Sequence, residues 1–281
     1  RDLMYSRTLS FGDSCIEIVT HSDETSDLVE MLFKGVPEKG INPPHARLEI
    51  SQDRDQDYRL TRDEKQIYKG DSLAALANSL MDTSIYNLAD KCSSGLLFHA
   101  ACLSWKGKGI ILPAQSGHGK TTLSAWLLSN GFDYLTDELV YLPLESRQAM
   151  CFGRPLNVKY GAREIIDGLL GDNKDDESIV AGPIAMLVPP GLVRADNKTV
   201  EPEVNMVFFP HFRADAEFSL EKLTAAQTGM ALMSCLVNAR NLSADGFPAT
   251  VSLARKVPAY QLTYPDFEGV LGTITGLLGE N

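Results

Sequence analysis

A short glycine-rich loop limits the folds open to this chain more than any other feature of its sequence. Residues 114–121 read AQSGHGKT, which matches the phosphate-binding loop pattern when alanine replaces the first glycine. An apolar run at residues 110–112 precedes the loop, and Leu123 and Leu127 follow it at helical spacing. A strand, a tight loop and a helix in this order are typical of α/β folds with a buried sheet. We therefore predict an α/β protein.

The chemistry of such a loop depends on backbone amides, one lysine and one hydroxyl group. Small residues allow consecutive N–H groups to curl around phosphate oxygens at a helix N-terminus. Lys120 can bridge the terminal phosphates of a nucleotide, and the Thr121 hydroxyl can coordinate Mg²⁺. The residues that we predict to bind the nucleotide are Ser116, Gly117, His118, Gly119, Lys120, Thr121 and Thr122.

An acidic pair, Asp137 and Glu138, follows the next strand-like run, which includes Tyr134 and Leu135. If that strand runs parallel to the one before the loop, the pair lies at the same sheet edge as the loop. One carboxylate can then serve Mg²⁺ while the other accepts a proton from a hydroxyl group. The alternative is an acidic turn that is merely solvated.

His99 lies on an apolar run that predicts a strand, and a KGKG turn leads from it to the strand before the loop. We expect Trp105 to pair with Ile110 across this turn. Counting back along both strands then places His99 opposite Ser116, beside the loop. There it could bond the γ-phosphate or tune Asp137; the alternative is an ordinary packed histidine.

Two basic stretches stand out because the whole chain is acidic. One runs from Phe152 to Lys159 and contains Arg154, and the other ends at Arg213. Arginine is the usual clamp for a phosphoryl group in transfer, so both arginines are candidate catalytic residues. The alternative for each is a surface ion pair.

Composition excludes several classes of function. Lys and Arg total 26 against 37 Asp and Glu, so the formal net charge is −11. We expect neither general nucleic-acid binding nor binding to an anionic membrane, because both require a basic surface. The five cysteines form no C-x-x-C pair, and no window is apolar enough to span a bilayer. We therefore expect reduced thiols and a cytoplasmic protein.

Two regions differ in pattern along the chain. Residues 1–90 mix short strands with helices, one of them capped by Asp71, and predict a small α/β module. Residues 91–281 hold the loop and predict the catalytic domain. Residues 171–202 are rich in Asp, Lys, Gly and Pro. They predict a mobile lid or acceptor-recognition loop, which could be partly ordered around residues 184–188; the alternative is a solvated insertion without a role.

The run LFHAACLSWKGKGIILPAQSGHGKTTLSAWLLSNGFDYLTDELVYL resembles the catalytic domain of HPr kinase/phosphorylase, and its GKTTLS segment is also similar to phosphoenolpyruvate carboxykinases. The phrases GRPLNVKYG and FFPHFRADAE most resemble bacterial kinases related to HPr kinase, including those that tailor lasso-peptide precursors. The resemblance is specific over residues 97–142, moderate to about residue 264 and weak before residue 97. It implies a P-loop kinase domain preceded by a small α/β module.

The resemblance also implies roles for individual residues. His99 matches the active-site histidine of the family and Asp137 its catalytic base, while Lys120, Thr121 and Glu138 match its nucleotide and metal ligands. Glu138 stands where HPr kinases usually have Asp, and their Glu-Ile-Arg-Gly signature is absent.

From the residues and the resemblance together we expect transfer of the γ-phosphate of ATP, with Mg²⁺, to a hydroxyl group. The expected acceptor is a serine of a peptide or protein. The alternatives are a kinase for small-molecule hydroxyl groups and a nucleotide-binding regulatory module with little turnover. The sequence leaves open a homo-oligomer.

Overall fold

The computed structural model describes residues 4–38, 42–114 and 119–280. Ser116 to His118, which are part of the predicted phosphate loop, lie outside the described residues. The described chain mixes helices with three β-sheets, so the predicted α/β class is confirmed. Among the described helices, none is both long and apolar enough to cross a membrane.

The N-terminal region forms a five-stranded sheet in the order β1-β2-β3-β4-β5, and two helices belong to the same region. Only β2 and β3 are parallel, and the other neighbours are antiparallel. Its elements are β1 (Tyr5–Phe11), β2 (Ser14–Thr20), α1 (Asp23–Phe33), β3 (Arg47–Gln52), β4 (Tyr58–Arg62), β5 (Lys65–Gly70) and α2 (Leu73–Lys91).

Helix α2 begins one residue later than the sequence predicts. Ser72, not Asp71, is its N-cap, and the Ser72 hydroxyl accepts a hydrogen bond from the backbone N–H of Ala75. Both residue types are good caps, so the choice depends on the backbone conformation, and Ser72 has the extended φ and ψ that a cap requires. Buried residues of α2, such as Leu76 and Leu80, join the core of the N-terminal sheet.

The remaining chain forms an eight-stranded sheet, a three-stranded sheet and six further helices. Short 3₁₀ turns occur at Tyr160–Ala162, Gly171–Asp175, Ala239–Asn241 and Ser243–Gly246. The longer elements are β6 (Gly95–Trp105), β7 (Lys108–Pro113), α3 (Lys120–Ser129), β8 (Asp133–Thr136), β9 (Leu139–Pro143), β10 (Met150–Cys151), β11 (Leu156–Lys159), α4 (Arg163–Leu170), β12 (Val180–Ala181), β13 (Ala185–Val188), α5 (Pro190–Val193), β14 (Glu203–Phe212), β15 (Ser219–Lys222), α6 (Ala225–Met233), α7 (Phe247–Lys256), β16 (Ala259–Tyr264) and α8 (Val270–Glu280).

The large sheet has the order β10-β9-β6-β7-β14-β16-β15, and β8 pairs with β6 outside this path. Strands β7, β14 and β16 are parallel neighbours, so their carboxyl ends meet at one edge. Both β7 and β8 are antiparallel to β6 and therefore run in the same direction. The sheet thus brings the residues after β8 to the edge from which the loop after β7 leaves, as the sequence predicts.

The hairpin of β6 and β7 has a different register from the predicted one. Trp105 pairs with Lys108 instead of Ile110, because the turn contains only Lys106 and Gly107. Both turn residues have positive φ, which the tight two-residue hairpin turn requires and which glycine adopts without strain. The shift is by two residues, so the side chains keep the faces that were predicted for them.

Residues 171–202 are not a single unstructured lid. They contain β12, β13 and α5, and β13 is the central strand of a sheet with β11 and β12. Met186 and Val188 are buried in the core below α3. The order that the sequence suggests around residues 184–188 is therefore present, and it ties the middle of the segment to the rest of the chain.

The N-terminal region packs closely against the remainder of the chain. Phe152 and Leu187 belong to the same apolar core as the five-stranded sheet. Gly35 and Gly153 lie backbone against backbone: a Cβ added to Gly153 would be 2.9 Å from the Gly35 Cα. Division into residues 1–90 and 91–281 stays a prediction.

One buried amide joins the end of α2 to the start of β6. The Asn238 side chain donates to the carbonyl oxygens of Cys92 (3.0 Å) and Gly95 (2.9 Å) and accepts from the N–H of Leu97 (3.0 Å). Asn238 is fully buried, so water cannot replace these three bonds.

We predict that Asn238→Ala lowers the free energy of unfolding by about 3 kcal/mol, because the Gly95 carbonyl and the Leu97 N–H lose their side-chain partner, while the Cys92 carbonyl keeps its bond from Asn241. Urea denaturation of parent and variant measures this loss. The matched control is Asn173→Ala, which removes one exposed bond to the Leu192 carbonyl and should change stability by less than about 0.5 kcal/mol. Equal, small losses in both variants would contradict the structural role of Asn238.

Candidate active site

A cavity of about 250 Å³ lies at the sheet edge where β7 and β8 end. Gly119, Lys120, Thr121 and Thr122 at the start of α3 line one side of it. Three further predicted residues also line it, namely His99, Asp137 and Glu138. The opposite wall is formed by β11 and the turn after it, with Asn157, Val158, Lys159, Gly161 and Ala162.

Lys120 is buried, and its Nζ lies 2.9 Å from Nε2 of His99. Burial is the main cause that lowers the pKa of Lys120, while the carboxylates of Asp137 and Glu138 oppose the shift. Burial, followed by the positive charges of Lys120 and Arg154, lowers the pKa of His99 to about 4. His99 is therefore neutral near pH 7 and accepts a hydrogen bond from the lysine.

Asp137 lies beside the hydroxyl group of the loop. The Thr121 hydroxyl donates to Asp137 Oδ2 at 3.1 Å, and the backbone N–H of Asn157 reaches the same oxygen at 3.4 Å. The other oxygen, Oδ1, is buried without a hydrogen-bond partner in the described chain, and the nearest cation, Arg154 Nε, is 3.7 Å away. An unpaired buried carboxylate oxygen next to a hydroxyl is a fitting pair of ligands for a hard cation.

Glu138 is held by Arg154. Arg154 Nη1 lies 2.8 Å from Glu138 Oε2, and His99 Nε2 lies 3.8 Å from Oε1 of the same carboxylate. Burial raises the pKa of Glu138, and the nearby guanidinium opposes that shift. Glu138 and His99 also line a second cavity, of about 540 Å³, which is bordered by α2 and by residues 236–240.

The two predicted arginine clamps differ from expectation. Arg154 is buried and bonded to Glu138, and it is not among the residues that line the 250 Å³ cavity. Its guanidinium faces the carboxylates of Glu138 and Asp137, and a role for it as a phosphate clamp stays a prediction. Arg213 is largely exposed and lies 3.6 Å from Asp215, also outside that lining. Its neighbour Phe212 does lie against Gly119, at the end of the phosphate loop.

Residues that the sequence did not single out also lie at this site. Gly161 and Ala162 follow β11 and line the 250 Å³ cavity, and Asp82 of α2 lines the second cavity. The basic stretch that includes Lys159 was a usable signal for the wall formed by β11. No signal in the sequence connects Asp82 with Glu138, because the two are brought together only by the packing of α2.

The lowered pKa of His99 predicts acid sensitivity. Folded His99 stays neutral down to about pH 4, whereas the unfolded chain binds a proton from about pH 6.5 downward, so acidification favours unfolding over that range. Between pH 7 and pH 5 the parent should lose about 1 kcal/mol more unfolding free energy than His99→Gln. Urea titrations at both pH values measure this difference, and equal losses would contradict it.

No family model matches the chain, and no curated protein matches its sequence significantly. Among solved structures, the chain is similar to the Hpr(Ser) kinase/phosphatase from Coxiella burnetii, with 12% sequence identity and a TM-score of 0.34. That alignment covers 66% of this chain and 94% of the other. The likeness is too weak to assign an activity to this chain.

Proposed function

We propose that this chain is a kinase that uses Mg²⁺ and ATP to phosphorylate a hydroxyl group, with a serine of a peptide or protein as the expected acceptor. One observation carries the proposal. A buried lysine and a threonine hydroxyl at the start of a helix share one cavity with two carboxylates and a neutral histidine. Phosphoryl transfer needs a cation at the phosphates, a metal site and a proton acceptor, and this set offers all three.

The residues present fit Mg²⁺. The Thr121 hydroxyl and Asp137 would hold the ion, since Asp137 Oδ1 is buried and has no hydrogen-bond partner among the described residues. Mg²⁺ usually takes one or two carboxylates together with phosphate oxygens. When bound, the ion would neutralise charge on the β- and γ-phosphates. Lys120 would bind the same phosphates from the start of α3.

Glu138 is the better placed proton acceptor. It lines both cavities, whereas Asp137 lines only the one at the loop. In the transfer, a bond forms between the acceptor oxygen and the γ-phosphorus, and the bond from that phosphorus to the bridging oxygen breaks to release ADP. The hydroxyl proton passes to the Glu138 carboxylate. This assignment reverses the roles that the sequence suggests for the two acidic residues.

Arg154 and His99 act as positioning residues. The Arg154 guanidinium fixes Glu138 Oε2 at 2.8 Å and leaves Oε1 directed toward His99. His99 accepts a hydrogen bond from Lys120 and so fixes the ammonium group at the base of the cavity. The chain thus orients both its phosphate-binding cation and its base through buried partners, which lowers the reorganisation needed during transfer.

The second cavity favours a kinase over a regulatory module that only binds nucleotide. A protein that merely holds ATP needs the phosphate loop alone, but here the two cavities share Glu138 and His99. Two adjoining cavities with a common carboxylate suit two substrates that react with each other. A small-molecule hydroxyl acceptor remains the alternative to a peptide.

The first prediction concerns Lys120. Lys120→Ala removes the cation at the phosphates and should lower the rate of transfer about 10²- to 10³-fold, with weaker ATP binding. Transfer assays and calorimetric titration with Mg·ATP measure the two effects. The matched control is Lys174→Ala, an exposed lysine outside both cavities. The proposal fails if the Lys120 variant binds ATP and turns over as the parent does.

The second prediction separates the two carboxylates. Glu138→Gln keeps the size of the side chain and removes its basicity, so transfer should fall about 10²- to 10⁴-fold while ATP binding persists. Asp137→Asn should instead raise the Mg²⁺ concentration needed for half-maximal rate. Single-turnover assays over a range of Mg²⁺ distinguish these patterns. The opposite pattern would restore Asp137 as the base.

A further inference from the structure

The second cavity lies between α2 and residues 236–240. It has a volume of about 540 Å³, within the range of roughly 300–1,000 Å³ that ligand pockets usually occupy. Its inner end contains His99 and Glu138, which also face the phosphate loop. Its outer end contains Asp82 and Tyr86 of α2. A molecule bound there would reach from the surface to the proposed base.

The walls of this cavity are fixed by buried and capping bonds. Asn238 is bonded to the backbone at both ends of the link between α2 and β6. The Asn241 side chain donates to the carbonyl oxygens of Ala89 and Asp90 in the last turn of α2. Arg240 forms an ion pair with Asp90 across the rim. A pre-formed cavity costs less free energy to fill than one that must be ordered on binding.

The negative charge of Asp82 makes the cavity suitable for a positively charged ligand. Arg240 neutralises Asp90, whereas Asp82 has neither a hydrogen bond nor an ion pair within the described part of the chain. Partial burial raises the pKa of Asp82 and the positive charge of Arg154 opposes that shift, while the side chain stays exposed where a ligand can reach it. Beside it, Tyr86 and Val237 expose apolar surface. A ligand with a cation and a short apolar portion complements these groups.

We propose that this cavity binds the phosphate acceptor as a peptide segment in which a basic side chain pairs with Asp82 and a nearby serine hydroxyl lies at Glu138. This inference rests on the proposed kinase function and adds the acceptor's chemistry to it. The N-terminal region would then supply the specificity, through α2, while the phosphate loop supplies the nucleotide. The reaction is the transfer written above, with the serine Oγ as the attacking oxygen and its proton passing to Glu138.

The test uses the full chain and a panel of synthetic peptides. Each peptide has one serine and one arginine, placed at successive positions within three residues on either side, and each is matched by a peptide with glutamine in place of arginine. The readout is the ratio of kcat/KM for the arginine peptide to that for its glutamine partner. Because it is a ratio within one protein, a partial loss of folded enzyme does not move it.

The parent should favour the best arginine peptide about three- to fivefold, the range typical of a partly exposed ion pair. Asp82→Asn should bring the ratio to about one, and Asp82→Lys should bring it below one by repelling arginine. The matched control, Asp71→Asn, lies just before α2 and outside the cavity, so it should keep the parental ratio.

Each outcome bears on one of the two proposals. Phosphorylation of serine peptides with no preference for arginine, or a preference that survives in Asp82→Lys, overturns the acceptor site and leaves the kinase function standing. Transfer to free ethanolamine or another small amino alcohol, but to no peptide, overturns the peptide acceptor. An absence of transfer to every hydroxyl compound overturns the kinase function itself.

Discussion

The candidate site depends on one buried guanidinium group. Arg154 lies between two adjacent carboxylates, 2.8 Å from Glu138 and 3.7 Å from Asp137. Buried charges are costly unless they are paired, and two neighbouring carboxylates would otherwise repel each other. The positive charge of Arg154 offsets the free-energy cost of burying the two carboxylates on one side, and Lys120 does the same on the side of the loop. Every chemical role suggested for the acidic pair assumes that this pairing holds.

Strand β6 explains why two cavities meet at one residue. Its first half, up to His99, pairs with β9, and its second half, from Ala100, pairs with β7. His99 is thus the last residue of one pairing, where the neighbouring strands separate. Its ring contacts Lys120 at the start of α3, and its side chain lines both the 250 Å³ cavity and the second cavity. One residue of β6, His99, therefore borders the proposed sites of both substrates.

Local patterns in the sequence predicted much of this fold. The strand before the loop and the helix that starts at Lys120 are close in sequence, so periodicity was enough to predict both. The loop between them, residues 115–118, lies outside the described residues and stays a prediction. The predicted register of the β6–β7 hairpin was wrong by two residues, because the sequence does not show how many of residues 106–109 form the turn. Contacts between side chains from distant segments of the chain were harder to predict from the sequence. Arg154 was predicted to face phosphate, yet only tertiary packing reveals that the acidic pair already uses it.

Because Gly35 and Gly153 pack backbone against backbone, the two regions of the chain depend on each other for their structure. The residue after Gly153 is Arg154, so the turn after α1, which contains Gly35, packs against the backbone next to this arginine. Even a methyl group at either glycine would wedge the two backbones apart. A chain that began near residue 90 would keep its phosphate loop. It would lose Gly35, which packs against the backbone next to Arg154, the arginine that neutralises the acidic pair. The N-terminal region thus helps to frame the proposed active site, and grafting the loop-bearing half onto another protein would transfer the motif without the packing next to Arg154.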